Sequence, residues 1–214
     1  MRNFIRAGIE SGAGPAKVAR EIVGTMNRAT GQRVGGILGL NAQQTDYAIS
    51  ARAELSNPAT MENYFSRERR DRRFDGIVRK AMADGKPVSA ADTDRIVQRY
   101  KDRLLQLRGE TIARTEAITA LRAGRHEAYQ QLVESGKVQA KQIIRTWRSA
   151  HDSRTRLDHL TLDKTDIRGL DQPFTAPDGS LMAYPGDTSM GASARETIQC
   201  RCHLDYQIDR RGTF

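Results

Sequence analysis

Apolar positions recur at helical spacing through the first two thirds of the chain and alternate in much of the last third. Over residues 15–29, Val18, Ile22 and Met26 share one face with Ala19 and Val23, the spacing of a short amphipathic helix. Pro15 suits its first turn and Gly31 its stop. The run Gly35-Gly36-Ile37-Leu38-Gly39-Leu40 is apolar and glycine-rich. It lacks the lysine and hydroxyl residue of a phosphate loop, so it reads as a flexible docking loop. Asn41 with Gln44 forms a capping box for a second helix to about Leu55, which Asn57-Pro58 breaks. A third helix is expected over about 59–83, ending at Gly85 and Pro87. Ser89 with Asp92 caps another start. From about 90 to 135, Ile96, Val97, Tyr100, Leu104, Leu107, Ile112, Leu121, Tyr129 and Leu132 follow at three- and four-residue steps. This predicts a long helix or a broken helical hairpin. Gly109 and Gly124, each costing about 1 kcal/mol against alanine in a helix, mark where a bend is expected.

At Gly136 the character changes. From Gln142 to Trp147 the chain alternates, with Ile143, Arg145 and Trp147 on one side and Ile144 and Thr146 on the other, a strand signal. Asp178-Gly179 between Phe174-Thr175 and Leu181-Met182 predicts a hairpin, and Cys202 to Ile208 a final strand. There is no internal repeat and no low-complexity tract. The expected class is α+β: a mainly α-helical N-terminal arm over 1–135, followed by a small α+β domain over 136–214.

Composition narrows the function classes. The 214 residues are long enough for one or two domains, but only 6% are aromatic and the mean hydropathy is −0.64. Such a chain fits a helical, elongated or partner-stabilised protein better than a compact enzyme. Residues 1–140 hold 24 of the 35 basic and 16 of the 26 acidic side chains, a balance of +8, against 11 and 10 in the remainder. A basic helical half beside a near-neutral second part favours a polyanionic partner. The densest stretch is Arg67-Glu68-Arg69-Arg70-Asp71-Arg72-Arg73. Arg67, Arg69, Arg70, Arg72 and Arg73 are candidate contacts to DNA phosphates without sequence readout. The alternative is a set of helix-surface ion pairs worth a few tenths of a kcal/mol. No stretch approaches the roughly 20 apolar residues of a membrane span, and residues 1–14 lack an apolar signal core. Two cysteines one residue apart make no disulfide framework and fit a reducing compartment.

Soft ligands gather near the C-terminal end. Cys200 and Cys202, at i and i+2, point to one face of a strand and could grip one ion. His159 is the natural third ligand, and Asp152, His151 or His203 could be a fourth. Thiolate and imidazole together favour one structural zinc ion. The plainer reading makes the cysteines small buried apolar residues and His159 a hydrogen-bonded core histidine. Asp152 has two readings as well. It could fix an arginine or the histidine tautomer and so hold a long loop. Alternatively, Asp152 and His159 could build a metal-dependent phosphodiesterase site. No H-E-x-x-H or G-x-S-x-G element supports an enzyme. No catalytic residue and no organic cofactor is expected.

Several pieces stand in a fixed order: Ile112-Ala113-Arg114-Thr115-Glu116, Trp147, Asp152-x-Arg154-Thr155-Arg156-x-x-His159, Phe174, Pro185-Gly186-Asp187 and Cys200-Arg201-Cys202. Together they resemble the phage head morphogenesis family, the Mu F-like minor head proteins, over about residues 105–206. The resemblance implies a minor capsid protein of a tailed phage, present in a few copies and associated with the portal. Its partners would be the portal protein, other phage head proteins and double-stranded DNA during packaging or ejection. It would reside in the phage head, and in the host cytoplasm during assembly, with no membrane contact. The arginine run could instead meet an acidic portal face. Arg114 and Glu116 cannot face each other at i and i+2, so one of them is expected to meet the C-terminal domain. The alternatives are a metal-dependent nuclease or toxin-related enzyme using Asp152 and His159, and a sequence-independent DNA-binding adaptor using the arginine run alone.

Overall fold

A computed structural model describes residues 2–27, 29 and 33–210. The chain forms two compact units, Met1–Glu110 and Thr111–Phe214.

The first unit opens with α1 (Arg2–Glu10) and α2 (Pro15–Val23). Helix α2 buries Val18, Ala19, Ile22 and Val23, the predicted face, but it ends six residues earlier than the spacing suggests. Gly24 leaves the helix at φ +77°, and Met26 belongs to a strand, β1 (Thr25–Met26), paired antiparallel with β2 (Arg33–Val34). The stop expected at Gly31 lies outside the described residues. Residues 35–40 do dock: the amides of Ile37 and Leu38 donate to the Ile22 carbonyl at 2.8 and 3.2 Å. A Cβ on Gly36 would come within 2.4 Å of the Gly24 nitrogen, so this backbone approach requires glycine.

Helix α3 (Ala42–Ser56) starts at the expected capping box, with the Gln44 amide donating to Asn41 Oδ1 at 2.8 Å. The single helix expected over 59–83 is instead three pieces: α4 (Met61–Tyr64), a 3-10 turn (Arg72–Phe74) and α5 (Asp75–Ala83). The arginine run spans the break after α4 and the 3-10 turn. There Asp71 is buried and accepts the Arg73 amide at 3.2 Å, fixing a turn where local periodicity suggested a helix. Leu55, Met61, Tyr64, Val78, Ile96 and Val97 form the core of this unit.

Helix α6 (Ala90–Glu134) is continuous over 45 residues and crosses the boundary between the units, so the broken hairpin does not occur. Ser89 caps it, accepting the Asp92 amide at 3.1 Å. Gly109 serves close packing. A Cβ there would sit 2.4 Å from Val23 Cγ1.

Residues 111–134 of α6 belong to the same unit as the sheet, whereas the sequence pattern changes at Gly136. After them come β3 (Ile143–Arg148), α7 (Leu157–Thr161), β4 (Asp166–Arg168), β5 (Phe174–Thr175), β6 (Leu181–Met182), α8 (Ala194–Thr197) and β7 (His203–Ile208). The antiparallel sheet runs β4-β3-β7, with Trp147 opposite Leu204 and Arg145 opposite Tyr206. Strands β5 and β6 form the expected hairpin, with Gly179 at φ +85° in its turn. Ile143, Arg145 and Trp147 are fully buried, as the alternation in β3 predicts, although Thr146 on the other side is buried as well. Trp147 packs with Phe174, Met182, Leu204 and both cysteines. Arg145 is satisfied by carbonyls, donating to Gly169 at 2.7 Å, to Ala183 at 2.9 Å and to Gln172. The fold is thus α+β, with a long helix and small antiparallel sheets.

Candidate metal centre

Cys200 and Cys202 flank Arg201 where the chain enters β7, and both are buried. His159 lies in the short helix α7 and is buried as well. Its Nδ1 stands 3.5 Å from Cys200 Sγ and 3.4 Å from Cys202 Sγ, so one nitrogen faces two sulfurs. The three ligand atoms lie within 4.8 Å of one another. Trp147 meets the imidazole edge-on, with centroids 5.5 Å apart, and fixes the ring plane.

On the other side of the ring, Nε2 is 2.8 Å from Glu196 Oε2, and this carboxylate has no exposed surface. That separation is ion-pair distance, yet neither carboxylate oxygen has a donor in good hydrogen-bond geometry. Arg195 Nε approaches Glu196 Oε1 at 3.8 Å from the solvent side. From α6, Arg122 donates to the carbonyls of Cys200 and Pro185, both at 3.0 Å.

Cys200 and Cys202 shift each other in opposite directions. The Cys200 thiol is held well below its ordinary range, chiefly because Cys202 hydrogen-bonds to it, with help from His159 and the Arg122 charge. Cys202 is pushed up by that same bond and by burial, while the Trp147 indole and the Ala150 amide act in the other direction.

Asp152 is not brought to this cluster. Its carboxylate is bound at both oxygens by the Arg201 guanidinium, and its Oδ1 accepts the Arg154 amide at 2.9 Å. Asp152 thus fastens the loop before α7 to the segment entering β7, the loop-holding role, and the acid beside the histidine is Glu196. His151 pairs with Asp163 at 2.9 Å, and His203 is exposed, 3.7 Å from Asp205. His126 contacts the Tyr206 hydroxyl at 2.9 Å through Nδ1. The sequence reading missed Glu196 because Ser193-x-x-Glu196 has the form of a capping box. Ser193 makes no side-chain cap here, and the glutamate turns inward. Among the described residues, neither Arg114 nor Glu116 forms an ion pair or hydrogen bond that would supply the contact expected of them. Both are exposed, and Thr115 Oγ1 between them accepts the Gln199 amide at 3.0 Å.

In the first unit the arginine run separates by role. Arg67 binds both oxygens of Glu54 at 2.7 Å, and Arg70 both oxygens of Asp75 at 3.1 Å. Arg73 joins Arg99 and Arg103 around the buried Asp71 at 2.7, 3.3 and 3.4 Å. Hydrogen bonding from Arg73 above all holds the Asp71 carboxyl well below the usual range. Arg69 and Arg72 are exposed and make no ion pair among the described residues. A cleft of about 880 Å³ opens on the same unit, lined by Arg33, Arg52, Arg73, Arg95, Arg99 and Lys101 together with Asp94 and Asp102.

A small α+β unit with a buried Cys-x-Cys-and-histidine cluster, preceded by basic helices, defines the class of protein. The sequence signature described as phage Mu protein F like protein matches residues 73–205, and the chain belongs to that family, a phage head morphogenesis family. The uncharacterized protein YqbB of Bacillus subtilis (strain 168) is 34% identical over 107 residues, covering 49% of this chain and 32% of YqbB. The chain thus spans about a third of the length of that curated relative. No solved structure matches. Among the described residues, no helix is long and apolar enough to cross a membrane.

Proposed function

We propose that the chain acts as a non-enzymatic minor head protein of a tailed phage. It sits in a few copies near the portal, inside the virion, after assembly in the host cytoplasm. There it contacts the portal protein, other head proteins and double-stranded DNA without reading DNA sequence. The observation that carries the reading is how the ordered motif residues are used. Trp147 and Phe174 are core, Asp187 accepts the Ala183 and Ser189 amides at 2.9 and 2.8 Å, and Asp152 clamps Arg201. Each builds the unit, and the cavity beside His159 and Cys202 has a volume of about 10 Å³, room for roughly one water.

Support for DNA contact comes from the basic cleft and from Arg69 and Arg72, whose charges face solvent. Phosphate contacts of this kind release counterions, so binding falls steeply with salt. Linear double-stranded DNA is mixed with the chain at low and high salt, with and without a chelator, and resolved on a gel. The expected result is a salt-sensitive shift with intact DNA in every lane. Arg69→Ala and Arg72→Ala should each reduce the salt slope by about 1. Metal-dependent cleavage, lost in Asp152→Ala or His159→Ala, would overturn the reading in favour of a nuclease.

A further inference from the structure

We infer that Cys200 Sγ, Cys202 Sγ and His159 Nδ1 bind one zinc ion, with Glu196 orienting the histidine from behind and a water completing the tetrahedron. The inference stands on the geometry of the cluster and does not depend on the head-protein reading.

Tetrahedral zinc with Zn–N near 2.0–2.1 Å and Zn–S near 2.3 Å sets an N···S edge of about 3.6 Å. The two edges here are 3.5 and 3.4 Å. Hydrogen bonding alone accounts poorly for this pair of equal contacts. Nδ1 carries one lone pair or one proton and can engage one sulfur well, whereas an ion between the three atoms engages both. A disulfide between positions i and i+2 would be strained, which keeps both sulfurs available as thiolates.

Glu196 is the second, independent observation. A fully buried carboxylate without a hydrogen-bond donor is costly unless something compensates it. At 2.8 Å from Nε2 its negative charge favours a ring proton on that side and leaves the Nδ1 lone pair for the metal. It cannot itself be a ligand to the same ion, because it faces the opposite nitrogen of the ring.

Ligand softness selects the metal. Two thiolates and an imidazole suit zinc over magnesium, calcium or manganese. Binding is ligand exchange without oxidation or reduction. Zinc sheds waters, the thiol protons go to solvent, and His159 keeps its proton on Nε2. The remaining position faces the one-water cavity lined by His159, Cys202, Thr155, Arg156, Gln199 and Arg201. The ion therefore ties α7 to the segment entering β7, acting as a staple in a small unit.

The test begins with the full wild-type chain, expressed with zinc available and purified without chelator, and its metal content measured by mass spectrometry. About one zinc per chain is expected. The melting temperature should fall when a strong chelator strips the metal and recover on adding zinc but not magnesium. Cys200→Ser with Cys202→Ser should abolish retention. Glu196→Gln, a change at a positioning residue, should keep the fold but weaken zinc affinity by about 10–100-fold in competition with a chromogenic chelator. The inference is overturned if folded wild-type chain carries no zinc above the buffer blank and its melting is indifferent to zinc and chelator. It is equally overturned by another metal in stoichiometric amount, by a Cys200–Cys202 disulfide in the purified reduced-cytosol product, or by zinc content unaffected when both cysteines are replaced.

Discussion

Asp71 gathers three arginines, and the consequences can be measured at that one residue. Its folded carboxyl value lies below the unfolded value of about 3.9, so its stabilisation is complete above both and is lost as pH falls toward the folded value. Asp71→Asn should cost about 2 kcal/mol at neutral pH, less than a fully buried pair because its arginines are partly exposed. Urea unfolding checks this, and the wild-type and variant curves should converge as the pH drops below about 4. Arg145 offers a second case. Arg145→Ala leaves three carbonyls without their donor and a void under Phe174, a loss of about 3–5 kcal/mol. Arg145→Lys should rescue little of it, since one ammonium cannot span Gly169, Gln172 and Ala183. At this scale the sequence was legible in part. His159, Cys200 and Cys202 were grouped by ligand chemistry, and the fold brings those three together. Asp152 was grouped with them because it is close along the chain, yet Arg201 holds it. Glu196 could not be separated from an ordinary capping glutamate until its burial was seen.

Among the elements, α6 makes the sharpest demand. Replacing Gly109 by alanine improves helix propensity by about 1 kcal/mol but drives a methyl into Val23, so Gly109→Ala should be destabilising by about 1–3 kcal/mol. A Cβ at Gly124 meets nothing within 4 Å, so Gly124→Ala should stabilise by up to about 1 kcal/mol. Thermal melts of the two variants should move in opposite directions. Equal shifts would show that neither glycine is placed for packing. Capped helix starts at Asn41 and Ser89, the alternation in β3 and the turn at Asp178-Gly179 were readable because their causes are local. The helix expected over 59–83 failed for a long-range reason. Arg67 is held by Glu54, and Asp71 by Arg99 and Arg103, partners 13 to 32 residues away that no local window contains. The end of α2 failed similarly, since β1 pairs Thr25 and Met26 with Val34 and Arg33.

For the whole molecule, charge and family membership set the frame. Most of the basic excess lies in residues 1–140, and the motifs of the phage Mu protein F like family end in the α+β unit. The overall class was readable because helical periodicity gives way to alternation near residue 140. The division between the compact units falls within α6, which local pattern could not show, since a continuous helix carries no signal at that position. Under the proposed function the chain is a component of the phage head. Quantitative mass spectrometry of purified heads from the source phage tests it most directly. The chain is expected to co-purify with capsid and portal proteins at a few copies per particle, and to persist after nuclease and salt washes. Heads that assemble fully and contain none of it, with the chain left in the lysate, would contradict the proposed function.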